Sequence, residues 1–203
     1  GACPHTEHFT TFYDQALDIT GLSLYSCSMN SERTQIARKT TSAPMRWIAN
    51  NVFFSHFSDV LHFGEGKAFA DSDALRDLPY GPYVVAFDPN SPHEWKRDVA
   101  ILDHEYGVGV SIYVFNTLLP AERAKAFEDM FACCERCVIA VRTDKVKGSP
   151  DLGYDGVTTK RGTFQTQLDA GAWMEWFKRM SPEWASVEVL HKTSAYVIIS
   201  VKR

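Results

Sequence analysis

Short apolar runs of strand type alternate with segments of helical periodicity along most of this chain. Several of the runs are rich in Val and Ile and almost continuously apolar, which is typical of parallel strands covered on both faces. They lie at residues 59–63, 83–87, 109–115, 137–141, 186–190 and 195–201. The last two runs are joined by "HKTS", which predicts an antiparallel hairpin at the edge of the sheet.

Segments with apolar residues at helical spacing precede and separate these strands. They lie at residues 9–20, 44–54, 120–134 and 169–180. Pro120 suits a first helical turn, and the segment at 169–180 ends before Pro182. The alternation of strand and helix predicts a three-layer, doubly wound, mostly parallel α/β sheet that closes with a C-terminal antiparallel hairpin.

Composition supports one α/β unit of moderate size, because 45% of the 203 residues are hydrophobic and can supply a substantial core. No linker rich in Pro, Gly or Ser divides the chain. We expect residues 1–50 to form an N-terminal helical extension or cap and residues 51–203 to form one compact domain. The apolar runs are short and no basic-then-apolar leader opens the sequence, so we expect a cytoplasmic protein with no membrane partner.

Five cysteines form a poor disulfide framework, because their number is odd and three of them crowd into "CCERC". The cluster raises the question of a zinc site. No second pair of Cys or His follows at ligand spacing, and Cys is a common small buried residue, so the sequence favours buried thiols and no metal.

Two basic segments stand out in a chain whose formal net charge is −4. This negative total argues against a protein whose whole surface binds a polyanion, but local basic patches can still bind one. One segment contains Arg33, Arg38, Lys39 and Arg46, and the other runs from Arg142 to Arg161. Basic runs are usually solvated faces, and these two matter only if the fold brings them together.

The first strand-like run leads directly into Gly64-Glu65-Gly66, and the next one ends at Asp88. Ligands of open α/β sheets bind beyond the carboxyl ends of the strands, and a carboxylate at Asp88 can accept hydrogen bonds from both hydroxyls of a ribose. We expect Asp88 to be an exposed strand-end carboxylate. Two other roles stay open: a tight turn for the glycines, and a cap of the turn "DPN" for Asp88. The glycine series of nicotinamide dehydrogenases fails at Phe69.

The segments "VLHFGEGKAFADSDAL", "VVAFDPN", "YGVGVSIYVFNTLLPAERAKAF" and "CVIAVRTDK" together resemble the class I S-adenosylmethionine-dependent methyltransferases. The likeness covers about residues 39–203 and is strongest to small bacterial and phage methyltransferase-like proteins. It implies a Rossmann-like methyltransferase fold, S-adenosylmethionine as cofactor and transfer of its methyl group to an acceptor.

The resemblance also implies roles for single residues. Gly64 and Gly66 would lie beside the methionine part of the cofactor, Asp88 would hold its ribose, and Asp103 would lie near its adenine. Tyr113 to Asn116, "YVFN", would form the floor of the site beside the transferred methyl, so Tyr113 and Asn116 are the catalytic candidates. A place in the core remains open for Tyr113.

This chain departs from the family pattern in the glycine loop. His62 stands where the family has an Asp or Glu that receives the ammonium of the cofactor, and Glu65 stands where a small residue or Cys is usual. Glu65 is therefore a candidate replacement for that acid, and both residues are counted as cofactor-binding candidates. A methyltransferase-like protein that has lost catalysis and acts as a binding or inhibitory module is the alternative, and a different enzyme with the same cofactor is a third.

The acceptor is expected to be a small molecule or to carry phosphate, with a nucleotide or nucleic acid as one possibility. The resemblance brings both basic segments to the open end of the sheet. Arg142, Arg161 and Gln165 are candidates for binding such an acceptor, and Phe164 for stacking on a base. The other interpretation is that "RGTFQ" only anchors a long loop. The oligomeric state does not follow from the sequence.

Overall fold

The computed structural model describes residues 39–203 except 53, 55–58, 68, 80 and 152–153. The helix predicted over residues 9–20, most of the N-terminal extension and one part of the first basic segment lie outside the described residues. The strands are β1 Asp59–Phe63, β2 Tyr83–Phe87, β3 Tyr106–Ile112, β4 Cys134–Arg142, β5 Ser149–Pro150, β6 Gly156–Thr158, β7 Phe164–Thr166, β8 Ser186–Lys192 and β9 Tyr196–Lys202. The helices are α1 Ala43–Asn51, α2 Ala70–Arg76, α3 Pro120–Cys133 and α4 Ala170–Met180.

Six strands form one sheet in the order β2-β1-β3-β4-β9-β8. The first four are parallel to one another, whereas β9 is antiparallel to β4 and forms a hairpin with β8. This architecture confirms the mostly parallel sheet and the C-terminal hairpin that the sequence predicts. Residues 88–105, between β2 and β3, contain two short 3₁₀ turns at Glu94–Lys96 and Val99–Asp103.

Both faces of the sheet are covered, which explains the nearly continuous apolar runs. In β4, Cys137, Ile139 and Val141 face a core shared with α3 and α4. The alternate residues Val138 and Ala140 face a second core, which contains buried side chains of α1 and α2. Helix α1 reaches Asn51 and packs into this core, so it crosses the boundary predicted at residue 50.

Helix α3 lies close to β3 at Gly109. A Cβ atom at this position would lie 2.6 Å from the Sγ atom of Cys134 and 2.8 Å from the Cε atom of Met130. The absence of a side chain therefore lets the end of the helix approach the sheet. Cys133, Cys134 and Cys137 are free and buried, and all three belong to the core on this face.

Local predictions differ from the structure in several places, and the helix predicted over residues 44–54 ends at Asn51. The strand predicted over residues 109–115 ends at Ile112, because Tyr113 has a positive φ of 60° and residues 115–117 form a 3₁₀ turn. Residues 149–166 contain a three-stranded antiparallel sheet of β5, β6 and β7, which the apolar pattern does not predict. Its strands are only two or three residues long, too short for periodicity to register.

An ion pair attaches this small sheet to the main domain. Arg123 of α3 is fully buried and donates two hydrogen bonds, of 2.7 and 2.8 Å, to the carboxylate of Asp155. Its guanidinium also lies 5.3 and 5.6 Å from the ring centres of Trp173 and Trp176 in α4. The planar fork of Arg matches the carboxylate and stacks on the rings, so one side chain joins three elements.

The helices of the described part of the chain are too short and too polar to span a membrane.

We predict that Asp155→Ala lowers the free energy of unfolding by about 1 to 3 kcal/mol, because it leaves the Arg123 guanidinium buried without its anion. This expected loss in the free energy of unfolding is smaller than that for a fully buried pair, because about a third of the Asp155 side chain is exposed. Urea unfolding monitored by tryptophan fluorescence measures the effect. The matched control is Glu175→Ala, which breaks an exposed pair with Lys178 and should cost less than about 0.5 kcal/mol. Equal losses in the two variants would contradict the anchoring role.

Candidate site at the carboxyl edge of the sheet

The four parallel strands end at one edge of the sheet, and the candidate residues lie there because parallel strands share their direction. Gly64 follows β1, Asp88 follows β2, Tyr113 follows β3, and Arg142 ends β4. The topology thus brings four of the residues selected from the sequence to one edge.

The glycine loop is built on left-handed backbone at both glycines, with φ angles of 76° at Gly64 and 75° at Gly66. The Gly64 N–H donates a 2.6 Å hydrogen bond to the carbonyl of Phe87 at the end of β2. A Cβ atom at Gly64 would lie 2.2 Å from a Val114 methyl group. Glycine is therefore required at position 64 for two reasons: its left-handed backbone conformation and the close approach of the turn after β3.

Asp88 is buried, with 6% of its surface exposed, so the expectation of an exposed strand-end carboxylate is wrong. Its Oδ2 atom accepts a 2.7 Å hydrogen bond from the Gly66 amide, and its Oδ1 atom accepts a 2.9 Å bond from the Asn90 amide. Burial raises the pKa of Asp88 above its usual 3.8, although these two amides oppose the rise. Asp88 therefore caps the "DPN" turn and also fixes the glycine loop.

Glu65 points into the protein from the glycine loop and has a fully buried carboxylate. It forms an ion pair with Lys96 and lies 3.7 Å from the Nδ1 atom of His62, which is itself 2.7 Å from the Ser72 hydroxyl. Burial alone raises the pKa of Glu65, but its interactions with His62, Lys96 and Ser72 outweigh burial and lower the pKa from 4.5 to about 2. Glu65 is thus held as an anion inside the loop.

Lys96 is a site residue that the sequence analysis missed. Its side chain is fully buried, and its ammonium lies 4.0 Å from the ring centre of Phe69 and 5.3 Å from that of Trp95. The Nζ atom also lies 3.5 Å from the carbonyl oxygen of Gly66, to which it donates. The segment "SPHEWKRD" has the composition of a solvated turn, so no signal in the sequence marked Lys96 as buried.

Asn116 links three elements beneath the turn after β3 and is almost fully buried. Its Nδ2 atom donates a 3.0 Å hydrogen bond to Gln165 of β7, and its Oδ1 atom accepts a 3.5 Å bond from the Arg142 amide. Tyr113, held at positive φ, makes an edge contact with the ring of Tyr196. The structure therefore joins Asn116, Gln165 and Arg142.

The Arg142 guanidinium is paired with Asp144, through bonds of 2.9 Å from Nε and 2.5 Å from Nη2. The hydrogen bonds that the Arg142 guanidinium donates to the Asp144 carboxylate raise the pKa of Arg142 and lower the pKa of Asp144. About 38% of the Arg142 side chain remains exposed. An acceptor phosphate at Arg142 would have to share or displace Asp144.

Three predicted site residues lie elsewhere. Asp103 is exposed just before β3, which places it toward the amino edge of the sheet and away from the glycine loop. Phe164 is buried and packs edge to face on Tyr154, so it supports the small sheet instead of presenting a free face for a base. Arg161 is exposed in the turn between β6 and β7.

No family model and no curated protein matches this sequence. Solved structures with the same fold include PigF with SAH, which is 13% identical with a TM-score of 0.54 over 80% of this chain and 62% of that one. Burkholderia thailandensis 1,6-didemethyltoxoflavin-N1-methyltransferase, with its namesake ligand and S-adenosylhomocysteine, is 16% identical with a TM-score of 0.57 over 79% and 78%. Human N-acetylserotonin methyltransferase in complex with SAM is 13% identical with a TM-score of 0.55 over 79% and 52%. The fold is thus that of methyltransferases.

The Glu65 site predicts a specific loss of stability in acid. A carboxyl group whose folded pKa lies below its unfolded value stabilises the folded state above the unfolded pKa and loses that effect as pH falls through the folded pKa. For a shift from 4.5 to about 2, the loss reaches up to about 3 kcal/mol. Urea unfolding at pH 5 and pH 2.5 measures it.

Glu65→Gln should have a lower stability at pH 5 and a shallower decline between the two pH values than the wild type, because it removes the titrating group. Glu175→Gln, at an exposed position, should retain the wild-type decline. A decline in Glu65→Gln as steep as that of the wild type would show that other groups cause the acid sensitivity.

Proposed function

We propose that this protein is an S-adenosylmethionine-dependent methyltransferase that binds its cofactor at the carboxyl edge of β1 and β2. The observation that carries the proposal is the hydrogen bond from Gly66 in the glycine loop to the carboxylate of Asp88 after the next strand. This contact lies at the edge where open α/β sheets bind ligands, in a fold that methyltransferases share.

The residues at this edge fit the cofactor. The Asp88 carboxylate accepts bonds from the Gly66 and Asn90 amides, which hold it between the glycine loop and the end of β2, where the cofactor's ribose would lie in this proposal. Glu65 pairs with the ammonium of Lys96, and an ammonium is also the cation that the methionine part of the cofactor carries. In this role Glu65 would replace the family's Asp or Glu, because position 62 is a histidine in this chain.

The cofactor supplies an electrophilic methyl group on a sulfonium, so the protein has to position the acceptor in line with it. Asn116 is suited to that task, because Gln165 and the Arg142 amide fix its side chain at the end of β3. Tyr113, with its positive φ, holds the adjoining turn in place through the bond from its amide to the carbonyl of Ala140. We assign Asn116 and Tyr113 to the floor of the acceptor site.

The acceptor is proposed to be a small molecule, with a phosphate-bearing compound or nucleic acid as narrower options. Solved structures of this fold include enzymes named for 1,6-didemethyltoxoflavin and N-acetylserotonin, which are small molecules. Among the acceptor candidates, Gln165 contacts Asn116 through its side chain and Arg142 through its backbone amide, and Asp144 balances the charge of the Arg142 guanidinium. A balanced guanidinium favours a neutral or singly charged acceptor over a polyanion.

The second candidate function is a methyltransferase-like binding or inhibitory module without catalysis. The observation that favours it is the contact of the Lys96 ammonium with the glycine loop. Lys96 pairs there with Glu65, the acid that the ammonium of the cofactor would need. Calorimetry with S-adenosylmethionine and S-adenosylhomocysteine, followed by a screen of small-molecule acceptors with radiolabelled cofactor, distinguishes the two functions. Binding with transfer supports the enzyme, and binding without transfer to any acceptor supports the module.

We predict that Asp88→Asn weakens cofactor binding by about 10- to 100-fold. The Asn side chain is neutral, and it has one oxygen that accepts hydrogen bonds where the Asp carboxylate has two. Asp88→Ala should in addition lower the free energy of unfolding by about 1 to 3 kcal/mol, since it leaves the Gly66 and Asn90 amides without their acceptor. Calorimetry measures the affinity and urea unfolding measures the stability. Asp103→Asn is the comparison variant, and its affinity should equal that of the wild type. Unchanged affinity in Asp88→Asn would remove Asp88 from the site.

A further inference from the structure

The Lys96 ammonium occupies a complete cation site in the glycine loop. Glu65 supplies a buried carboxylate, the Gly66 carbonyl supplies an oxygen at 3.5 Å, and Phe69 supplies an aromatic face at 4.0 Å. Trp95 lies parallel to Phe69, with an angle of 17° between the rings. A carboxylate, a carbonyl oxygen and aromatic faces together bind organic cations, ammonium and sulfonium alike.

The same groups would recognise a cationic ligand that enters the carboxyl edge. The proposed cofactor carries both a primary ammonium and a sulfonium, and its demethylated product keeps the ammonium. The Glu65 side chain is fully buried and already paired with Lys96, so its carboxylate cannot pair with Lys96 and with a ligand ammonium at full strength at once. Lys96 and the ligand cation therefore compete for Glu65.

The segment that carries Lys96 is mostly exposed. Residues 92–100 are all described, and Lys96 is the one buried residue among them. The segment contains two 3₁₀ turns, which have poorer hydrogen-bond geometry than an α-helix. Two backbone bonds hold Lys96 itself, from the Asp88 amide to its carbonyl and from its amide to the His93 carbonyl. Its release thus disturbs few contacts other than the ion pair and the aromatic stack.

We propose that Lys96 is an internal competitor of the cofactor, which occupies the ammonium site of the free protein and must withdraw from Glu65 before the cofactor binds. The proposal rests on the proposed function of the site. Because Lys96 donates to the Gly66 carbonyl and the Gly66 amide donates to Asp88, withdrawal of Lys96 frees the loop at the point where the methionine part and the ribose would meet.

The competition lowers the apparent affinity in a calculable way. When the binding-competent state is a fraction of the population, the apparent dissociation constant equals the intrinsic one divided by that fraction. Minor states of this kind are populated to about 10% or less, so removal of the competitor should tighten binding by about tenfold or more.

The test is calorimetric titration of S-adenosylhomocysteine into the wild type and Lys96→Met, which keeps the length of the apolar side chain and removes the ammonium. We expect Lys96→Met to bind at least about tenfold more tightly. Arg97→Met is the matched control at the next, half-exposed position and should bind as the wild type does. Lys96→Gln, which removes the positive charge but keeps a hydrogen-bond donor for the buried Glu65 carboxylate, covers the case in which Lys96→Met fails to fold.

An independent measurement uses the wild type alone. Acetic anhydride modifies free amines, and mass spectrometry of tryptic peptides reports the modification of each lysine. Saturation with S-adenosylhomocysteine should raise the acetylation rate of Lys96 by the same factor as the affinity gain, while half-exposed Lys178 stays constant. This readout requires no turnover and no variant.

The outcomes separate this inference from the proposed function. Binding by the wild type, with tighter binding by Lys96→Met and a faster Lys96 acetylation, supports both. Binding by the wild type without either effect overturns the inference and leaves the proposed function in place. Binding by a folded Lys96 variant alone supports the inference and assigns the natural chain to the binding-module alternative. Absence of binding in the wild type and in every folded variant overturns both.

Discussion

The hydrogen bond from the Gly66 amide to the Asp88 carboxylate is the contact on which the geometry of the carboxyl edge depends. It joins the loop after β1 to the end of β2, next to the bond from the Gly64 amide to the Phe87 carbonyl. Because both glycines adopt positive φ, the loop can turn its amides toward β2 and its Glu65 side chain inward. The position of Glu65 then determines where a buried cation can lie, and Val114 packs against the space that Gly64 leaves.

Much of the fold could be predicted from the sequence because burial on both sides of the sheet leaves continuous apolar runs. The runs "YVVAF" and "AYVIISV" match β2 and β9 to within one residue at each end, since their environment is uniform along the strand. The run "GVSIYVF" misleads for a tertiary reason: Tyr113 and Val114 are apolar enough for a strand, but the turn onto Gly64 overrides their propensity. The strands of the small sheet could not be predicted, because they are too short to show periodicity and the sheet is attached through side-chain contacts.

The site was less predictable, because the sequence shows residue types but not which polar groups satisfy each other. Asp88 was found from its position after a strand, yet its burial and its two amide partners follow only from the fold. Lys96 was missed since burial of a lysine requires a carboxylate from elsewhere in the chain, here Glu65. Phe164 was a candidate for stacking on a base, but it is buried and packs edge to face against Tyr154, which only the fold of the small sheet shows.

Two chemically different contacts attach the small sheet to the main domain, and they respond differently to mutation. Arg123 and Asp155 form a charged attachment, whereas Gln165, on the strand that pairs with β6, contacts Asn116 beneath the turn after β3. Exchange of Gln165 would leave the charged attachment in place but would deprive the buried Asn116 amide of its acceptor. A change at Gln165 therefore calls for a compensating change at Asn116, so the two positions are expected to vary together.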